Sequence, residues 1–285
     1  MSIDSTWLRC PNCFLDLEPV EVHVYGCAAG HRFDRSKYGY LTLLAPRAPR
    51  TIGDDREMLA ARAALLEGGA YERIAAALVD AVQSTLVPTA SREPLRVADL
   101  GCGTGYYSAM LARALPEAAF LLADRSPDAV RASLRQHPEA TGVVLDIWRS
   151  LPVRDGVVDV ALNVFAPRNG SEFARILRPD GHLFVIVPTD AHLQELRVEG
   201  ALLDVPTGKA DRVTEQLAPV GLRVRSITPV EYTIQADAVT RALLAGMGPS
   251  AHHAAELSST DAAEGSSTVT VSVELLVFEH AAIVA

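Results

Sequence analysis

Val97-Ala98-Asp99-Leu100-Gly101-Cys102-Gly103-Thr104-Gly105 decides the fold of this chain. An apolar run ends in an acid and three alternating glycines, and a helix-forming stretch follows. Glycine at such a turn permits backbone conformations closed to other residues and lets a bulky ligand touch the main chain. The sequence on either side keeps the same rhythm. Strands are read over 95–100, 119–123, 142–145, 157–164 and 182–187, with helices over 106–114, 128–136 and 171–177. Strands alternating with helices imply a parallel sheet with both faces covered, an α/β fold. Two helices precede it, Arg56 to Glu67 and Tyr71 to Val87, the second with Ile74, Leu78, Val82 and Leu86 on one face. After it come a helix near Ala210 to Leu217 and strands around Leu222 to Ile234 and Thr268 to Glu279. A mobile loop is expected over Pro249 to Ser267.

The glycine spacing selects among ligands. A dinucleotide fingerprint runs Gly-x-Gly-x-x-Gly, whereas Gly101, Gly103 and Gly105 are each two apart and an acid precedes them. That favours a nucleoside without pyrophosphate. Asp99 at the strand end suits an amino-acid ammonium. Asp124, ending the second strand, is placed for ribose hydroxyls, and Asp146, after the third, for an adenine amino group. Each acid alone reads equally well as a helix cap, and the glycines as a tight turn. Together, at the carboxyl edge of one sheet, they point to S-adenosylmethionine and a Rossmann-like methyltransferase sheet. A nicotinamide dehydrogenase is the alternative, with Asp146 incidental.

The amino terminus carries a second constellation. Cys10-Pro-Asn-Cys13 and Cys27-Ala-Ala-Gly-His31 offer three thiolates and an imidazole in two close pairs, the ligand set of a closed, structural Zn²⁺ site. Buried small hydrophobes with a chance histidine would not explain three of four cysteines falling within 18 positions. A redox pair would need a strand-helix unit around it. Val20 to Val24 and Tyr38 to Leu44 read as small strands of this unit, which needs a metal staple at its size. The chain is therefore divided into a zinc-binding β module, 1–44, a Pro- and Arg-containing linker, 45–55, and a methyltransferase domain, 56–285.

Composition bounds the partners. With 49% apolar residues the chain can bury a large core. It has no apolar run of about 18 residues and its start lacks an export pattern, so no membrane association and a cytoplasmic, reducing location are expected. A formal charge of -9 argues against broad steering onto nucleic acid. From His31 to Arg50, however, Arg32, Arg35, Lys37, Arg47 and Arg50 face a single acid, Asp34. That stretch is either a phosphate-facing patch or a solvated face.

Longer motifs carry a family resemblance. They are the two ligand pairs, His31-Arg-Phe-Asp34, Tyr38-Gly-Tyr-Leu-Thr-Leu-Leu44 and Met58-Leu-Ala-Ala-Arg-Ala-Ala-Leu-Leu66 with Tyr71 behind its glycines. Asn163-Val-Phe-Ala-Pro-Arg-Asn169, His192-Leu-Gln-Glu-Leu196 and Met247-Gly-Pro-Ser250 follow. In this order they resemble the bacterial 23S ribosomal RNA guanine-N1 methyltransferases, including the branch linked to macrolide resistance in antibiotic-producing actinomycetes. The resemblance implies methyl transfer to guanine N1 in an RNA hairpin and a zinc module that helps grip the RNA. It also implies Tyr71, Gly103, Thr104 and His192 at the cofactor. Where the similar resistance enzymes carry Trp shortly after Met-Gly-Pro-Ser, this chain has His252, followed by His253. An aromatic there would stack on the base, so a small-molecule acceptor stays as the alternative partner. A homodimer is compatible with the sequence.

Methyl transfer from a sulfonium is an in-line displacement that asks mainly for positioning and exclusion of water. Guanine N1 must also lose a proton. Asn163, at the end of the fourth strand, is the candidate to handle that proton or the charge developing on O6, against a plain reading as a turn asparagine.

Overall fold

The computed structural model describes residues 3–45, 53–86, 94–200, 202–247 and 266–281. Most of the expected linker, with Arg47 and Arg50, lies outside them. So do Gly248 to Ser250, His252, His253 and nearly all of the expected loop before Ser267.

Three short strands, β1 (Glu18–Glu21), β2 (Val24–Gly26) and β3 (Arg32–Asp34), form a small antiparallel sheet around the cysteines. The alternating run at Val20 to Val24, expected as one strand, is instead a hairpin: Val22 and His23 make the turn, and His23 has φ +70°. Val22 is almost wholly exposed, so the apolar alternation there answered to no core.

The expected strand near Tyr38 to Leu44 forms as β4 (Tyr40–Thr42), but it pairs in parallel with the large sheet rather than with the small one. Helices α1 (Arg56–Glu67) and α2 (Glu72–Thr85) follow, α1 capped by Asp55, whose carboxylate accepts the Met58 N–H. The alternation then runs β5 (Arg96–Leu100), α3 (Tyr106–Ala114), β6 (Ala119–Asp124), α4 (Pro127–Gln136), β7 (Thr141–Val144), β8 (Val158–Val164), α5 (Gly170–Ile176) and β9 (Leu177–Pro188). The chain continues through the short α6 (Gln194–Val198), α7 (Lys209–Leu217), β10 (Leu222–Ala236), α8 (Ala238–Gly246) and β11 (Ser267–His280).

The eight-stranded sheet has the order β10-β11-β9-β8-β5-β6-β7-β4. Strands β4 to β9 run parallel, and β11 and β10 close the far edge as an antiparallel pair. The order reverses at β5, with β6 on one side and β8 on the other, so a crevice opens outside the carboxyl ends of these strands.

Burial follows the pleat. Val97, Leu122, Val144, Val160 and Leu162 join α2, α3 and α4 through Ile74, Leu78, Val82, Leu111, Val130 and Leu134. Ala98, Leu100, Leu121, Ala123 and Val143 point to the other face, against Phe173, Ile176 and Leu217 of α5 and α7. The amino-terminal segment belongs to that second core: Trp7, Leu8, Leu17, Cys10 and Cys27 are all buried in it. Leu8 bridges Val153, and Arg154 and Arg9 donate to the Leu8 and Leu151 carbonyls. The zinc-ligand segment is thus packed onto the sheet's helical layer.

Candidate active site and metal centre

The glycines occupy the turn out of β5. Gly101, Gly103 and Gly105 have φ of +97°, +51° and +80°, conformations that favour glycine. Space is as restrictive as the dihedral: a Cβ on Gly101 would lie 2.5 Å from the Ala166 Cβ, and one on Gly105 2.6 Å from the Ser133 Cβ. The loop therefore leads directly into α3 with its backbone bare toward a cavity of about 790 Å³.

All three acids reach that cavity. Asp124 accepts the Gly103 N–H at 3.0 Å on one oxygen and the Ser126 N–H at 2.8 Å on the other, which leaves each oxygen a further lone pair for a ligand hydroxyl. Burial raises its pKa, and the two N–H bonds oppose that. Asp99 is buried, and desolvation lifts its carboxyl to about 7 despite a Ser108 hydrogen bond, with the charge of Asp124 adding to the rise. A cationic ligand group beside it would restore the carboxylate. Asp146 accepts the Trp148 N–H and pairs with Arg125 at 2.5 Å, so one of its oxygens is already engaged by a cation, a partner the sequence did not reveal.

Tyr71 and His192 meet across the cavity. The Ser272 N–H donates to His192 Nδ1 at 3.2 Å, so the neutral imidazole carries its proton on Nε2, 3.1 Å from the Tyr71 hydroxyl oxygen. Burial, then Arg197 and Lys209, hold the imidazole pKa down to about 4, which keeps it neutral. The Tyr71 hydroxyl accepts from it and retains its own proton to donate. Phe165 stands 6.0 Å from both rings, with φ +52° and its ring partly open to solvent. A bulky residue held in that region marks a constrained site. The Tyr107 hydroxyl, on the same wall, is buried with no hydrogen-bond partner among the described residues, as a polar ligand would require.

Asn163 does not sit with these groups. It is fully buried, its amide donates to the Leu100 and Pro167 carbonyls at 3.2 and 2.8 Å, and its oxygen accepts from Arg168. The side chain ties the loop after β8 to the end of β5, with its amide group donating to two carbonyls and its oxygen shared with Arg168. Arg62, Arg125 and Lys209 line the cavity without having been singled out in the sequence. Arg125, next to Asp124, is the one that position could have indicated.

At the other end of the chain Cys10, Cys13, Cys27 and His31 bring their ligand atoms within 4.8 Å of one another. The Cys27, Cys13 and Cys10 sulfurs stand 3.3, 3.5 and 3.6 Å from His31 Nδ1, and Cys13 and Cys27 are 3.5 Å apart. A zinc tetrahedron with bonds of about 2.0–2.3 Å has edges of about 3.3–3.8 Å, so the four atoms fit one ion with no position left for water. The Asn12 N–H donates to the Cys10 sulfur, as thiolate ligands require to spread their charge.

A sheet with its switch point at a glycine turn, acids at three strand ends and a closed Cys₃His cluster define an S-adenosylmethionine-dependent methyltransferase with a structural zinc ribbon. A family model described as a methyltransferase domain matches residues 97–181, and one described as RlmA, N-terminal, a zinc ribbon, matches 8–48. The chain is 40% identical over 252 residues to the 23S rRNA (guanine(748)-N(1))-methyltransferase of Streptomyces fradiae, covering 87% of this chain and 86% of that one. It is 41% identical to a Micromonospora griseorubida protein named for the same guanine-N1 reaction, covering 86% and 87%. This chain belongs to the 23S rRNA guanine-N1 methyltransferase family. Among solved structures, YcgJ of Bacillus subtilis superposes with a TM-score of 0.50 at 15% identity, covering 73% of this chain and 97% of that one, a likeness of fold.

Proposed function

We propose that this chain methylates N1 of a guanine in 23S ribosomal RNA in the cytoplasm, with macrolide resistance as the associated phenotype. The observation that carries this reading is the similarity to the Streptomyces fradiae enzyme over 87% of this chain, beside separate matches to a zinc-ribbon and a methyltransferase family model. Among the described residues no helix is long and apolar enough to cross a membrane.

The roles follow from donors and acceptors. Asp124 takes the ribose hydroxyls with its spare lone pairs, Asp99 the ammonium, and Asp146, oriented by Arg125, the adenine amino group. The bare backbone of Gly101, Gly103, Thr104 and Gly105 lets the nucleoside approach, while Tyr71, fixed by neutral His192, presents its hydroxyl proton to the cofactor. Bound S-adenosylmethionine supplies an electrophilic methyl group. The protein's part is to hold the acceptor nitrogen in line with it, in a cavity that the two bound ligands fill and so clear of bulk water. The zinc ribbon, with Arg32, Arg35 and Lys37 on its surface, is the RNA-gripping module.

A small-molecule acceptor is the second reading, favoured by a cavity of about 790 Å³ and a net charge of -9. Transfer of labelled methyl from S-adenosylmethionine separates the two. Incorporation into unmodified 23S rRNA, with none into small aromatic or hydroxylated acceptors, is the expected result; the reverse pattern favours the second reading.

A further inference from the structure

The acids that suit the cofactor follow β5, β6 and β7. The loop after β8, the segment after β9 and the start of α7 line the same cavity from the other side of the switch point. That side brings three cations, Arg168, Arg197 and Lys209, against one acid, Asp204. Arg168, in the loop after β8, donates from Nη1 to the Ala166 carbonyl at 3.2 Å and to the Asn163 amide oxygen at 3.4 Å, while its Nε is buried with no hydrogen-bond partner. Lys209 opens α7, at the positive end of that helix, and also lines the cavity. No carboxylate forms an ion pair with either among the described residues. A half-buried guanidinium and an amine left without counter-charge are costly unless a ligand meets them.

We propose that Arg168 and Lys209 act on the acceptor base: Lys209 Nζ takes the proton from the ring nitrogen that is methylated, and Arg168 holds the neighbouring carbonyl oxygen. The inference rests on the reading that the acceptor is guanine, whose N1–H and O6 stand side by side. The N1–H electron pair remains on N1 as the proton moves to Lys209, and charge spreads to O6 against Arg168. The nitrogen pair forms the new N–C bond. The methyl carbon–sulfur bond breaks with both electrons going to sulfur, which neutralises the sulfonium. Lys209 ends as an ammonium and releases its proton to solvent. Phe165, which lines the same cavity 6.0 Å from the Tyr71 and His192 rings, offers the base a face to stack on. Asn163 becomes a positioning residue that acts through Arg168.

A base must be neutral to accept a proton, and the surroundings of Lys209 favour that form. Burial, then Arg168 and Arg212, lower its pKa from the ordinary lysine value. Neutral His192 faces it from the segment after β9. On the elements α7 packs against, Glu172 and Arg175 of α5, Arg178 of β9 and Arg223 and Arg225 of β10 are held in ion pairs of their own. The rate is therefore expected to rise with pH to a plateau that begins below the ordinary lysine range.

Lys209→Arg is the discriminating variant, because arginine keeps a phosphate contact but cannot serve as a base at neutral pH. Single-turnover methylation of 23S rRNA by the full chain should fall at least about 100-fold, with the RNA KM within about threefold of wild type. Arg168→Gln should move the rise in rate to higher pH, since the charge that depresses Lys209 is gone. S-adenosylhomocysteine binding by calorimetry checks that each variant is folded. A fall of less than tenfold in Lys209→Arg, or a loss confined to KM, overturns the inference and leaves guanine methylation standing. Absence of N1-methylguanine from the wild-type reaction overturns the guanine reading itself, and the inference with it.

Discussion

Asp124 holds its own loop together before any ligand arrives, because both carboxylate oxygens already accept main-chain N–H groups from Gly103 and Ser126. Asp124→Ala removes the proposed ribose acceptor and strands two donors, each costing about 1–3 kcal/mol. Calorimetry should record at least a tenfold loss of S-adenosylmethionine affinity, and Asp124→Asn, with one acceptor oxygen kept, a smaller one. Unchanged affinity in a folded Asp124→Ala protein removes the residue from the site. Asp99 adds a pH dependence. Its carboxyl in the free protein titrates at about 7, raised above its ordinary value mainly by burial, so below that pH it is protonated and offers no negative charge. Affinity for the cationic cofactor should therefore fall as pH drops through about 7, and Asp99→Asn should flatten that profile. At this scale the sequence was informative where spacing is rigid, as with the glycines and the metal ligands. It was silent on Lys209, whose place depends on how α7 docks on β9, and on the bonds that tie Asn163 to Leu100 and Pro167, which join loops far apart in the chain.

Among the elements, the zinc ribbon is tied to the sheet rather than hung from it. Trp7, Leu8 and Leu17 share one core with Ala98 and Leu100, so freeing the metal loosens contacts beyond the ligand turns. The purified protein should hold one zinc per chain. Cys27→Ser should lose it, expose residues 1 to 44 to protease and lower Tm by at least about 5 °C, because metal binding is folding energy for such a unit. The cavity lies at the carboxyl edge of the sheet, away from the ribbon ligands, so cofactor affinity should stay within about threefold. Metal-free wild type from a chelator-free preparation would contradict the structural role. The parallel strands were legible because burial on both faces leaves continuous apolar runs, as in Ala119–Asp124, apolar up to its final acid. The fate of Tyr40–Thr42 was not: three residues pair equally well with a small sheet or a large one, and only the open edge of β7 decides.

At the scale of the whole molecule a chain of charge -9 must approach a polyanion, so the contact has to be local. Arg32, Arg35 and Lys37 lie on the ribbon; Arg35 donates from Nη2 to His23 Nδ1 at 2.7 Å, and Lys37 sits over the Tyr38 ring. Replacing all three by Gln should weaken RNA binding and flatten its dependence on salt by about two to three counterions, leaving cofactor affinity unchanged. An unaltered salt slope would place the RNA elsewhere on the surface. What distinguishes this enzyme from other methyltransferases is its acceptor atom. Primer extension on 23S rRNA incubated with the protein and S-adenosylmethionine reads it directly, because a methyl on guanine N1 blocks base pairing and stops reverse transcription. We expect one new stop at a hairpin guanine, dependent on cofactor and absent with Asp124→Ala; no stop at any guanine, on naked or assembled RNA, would contradict the account.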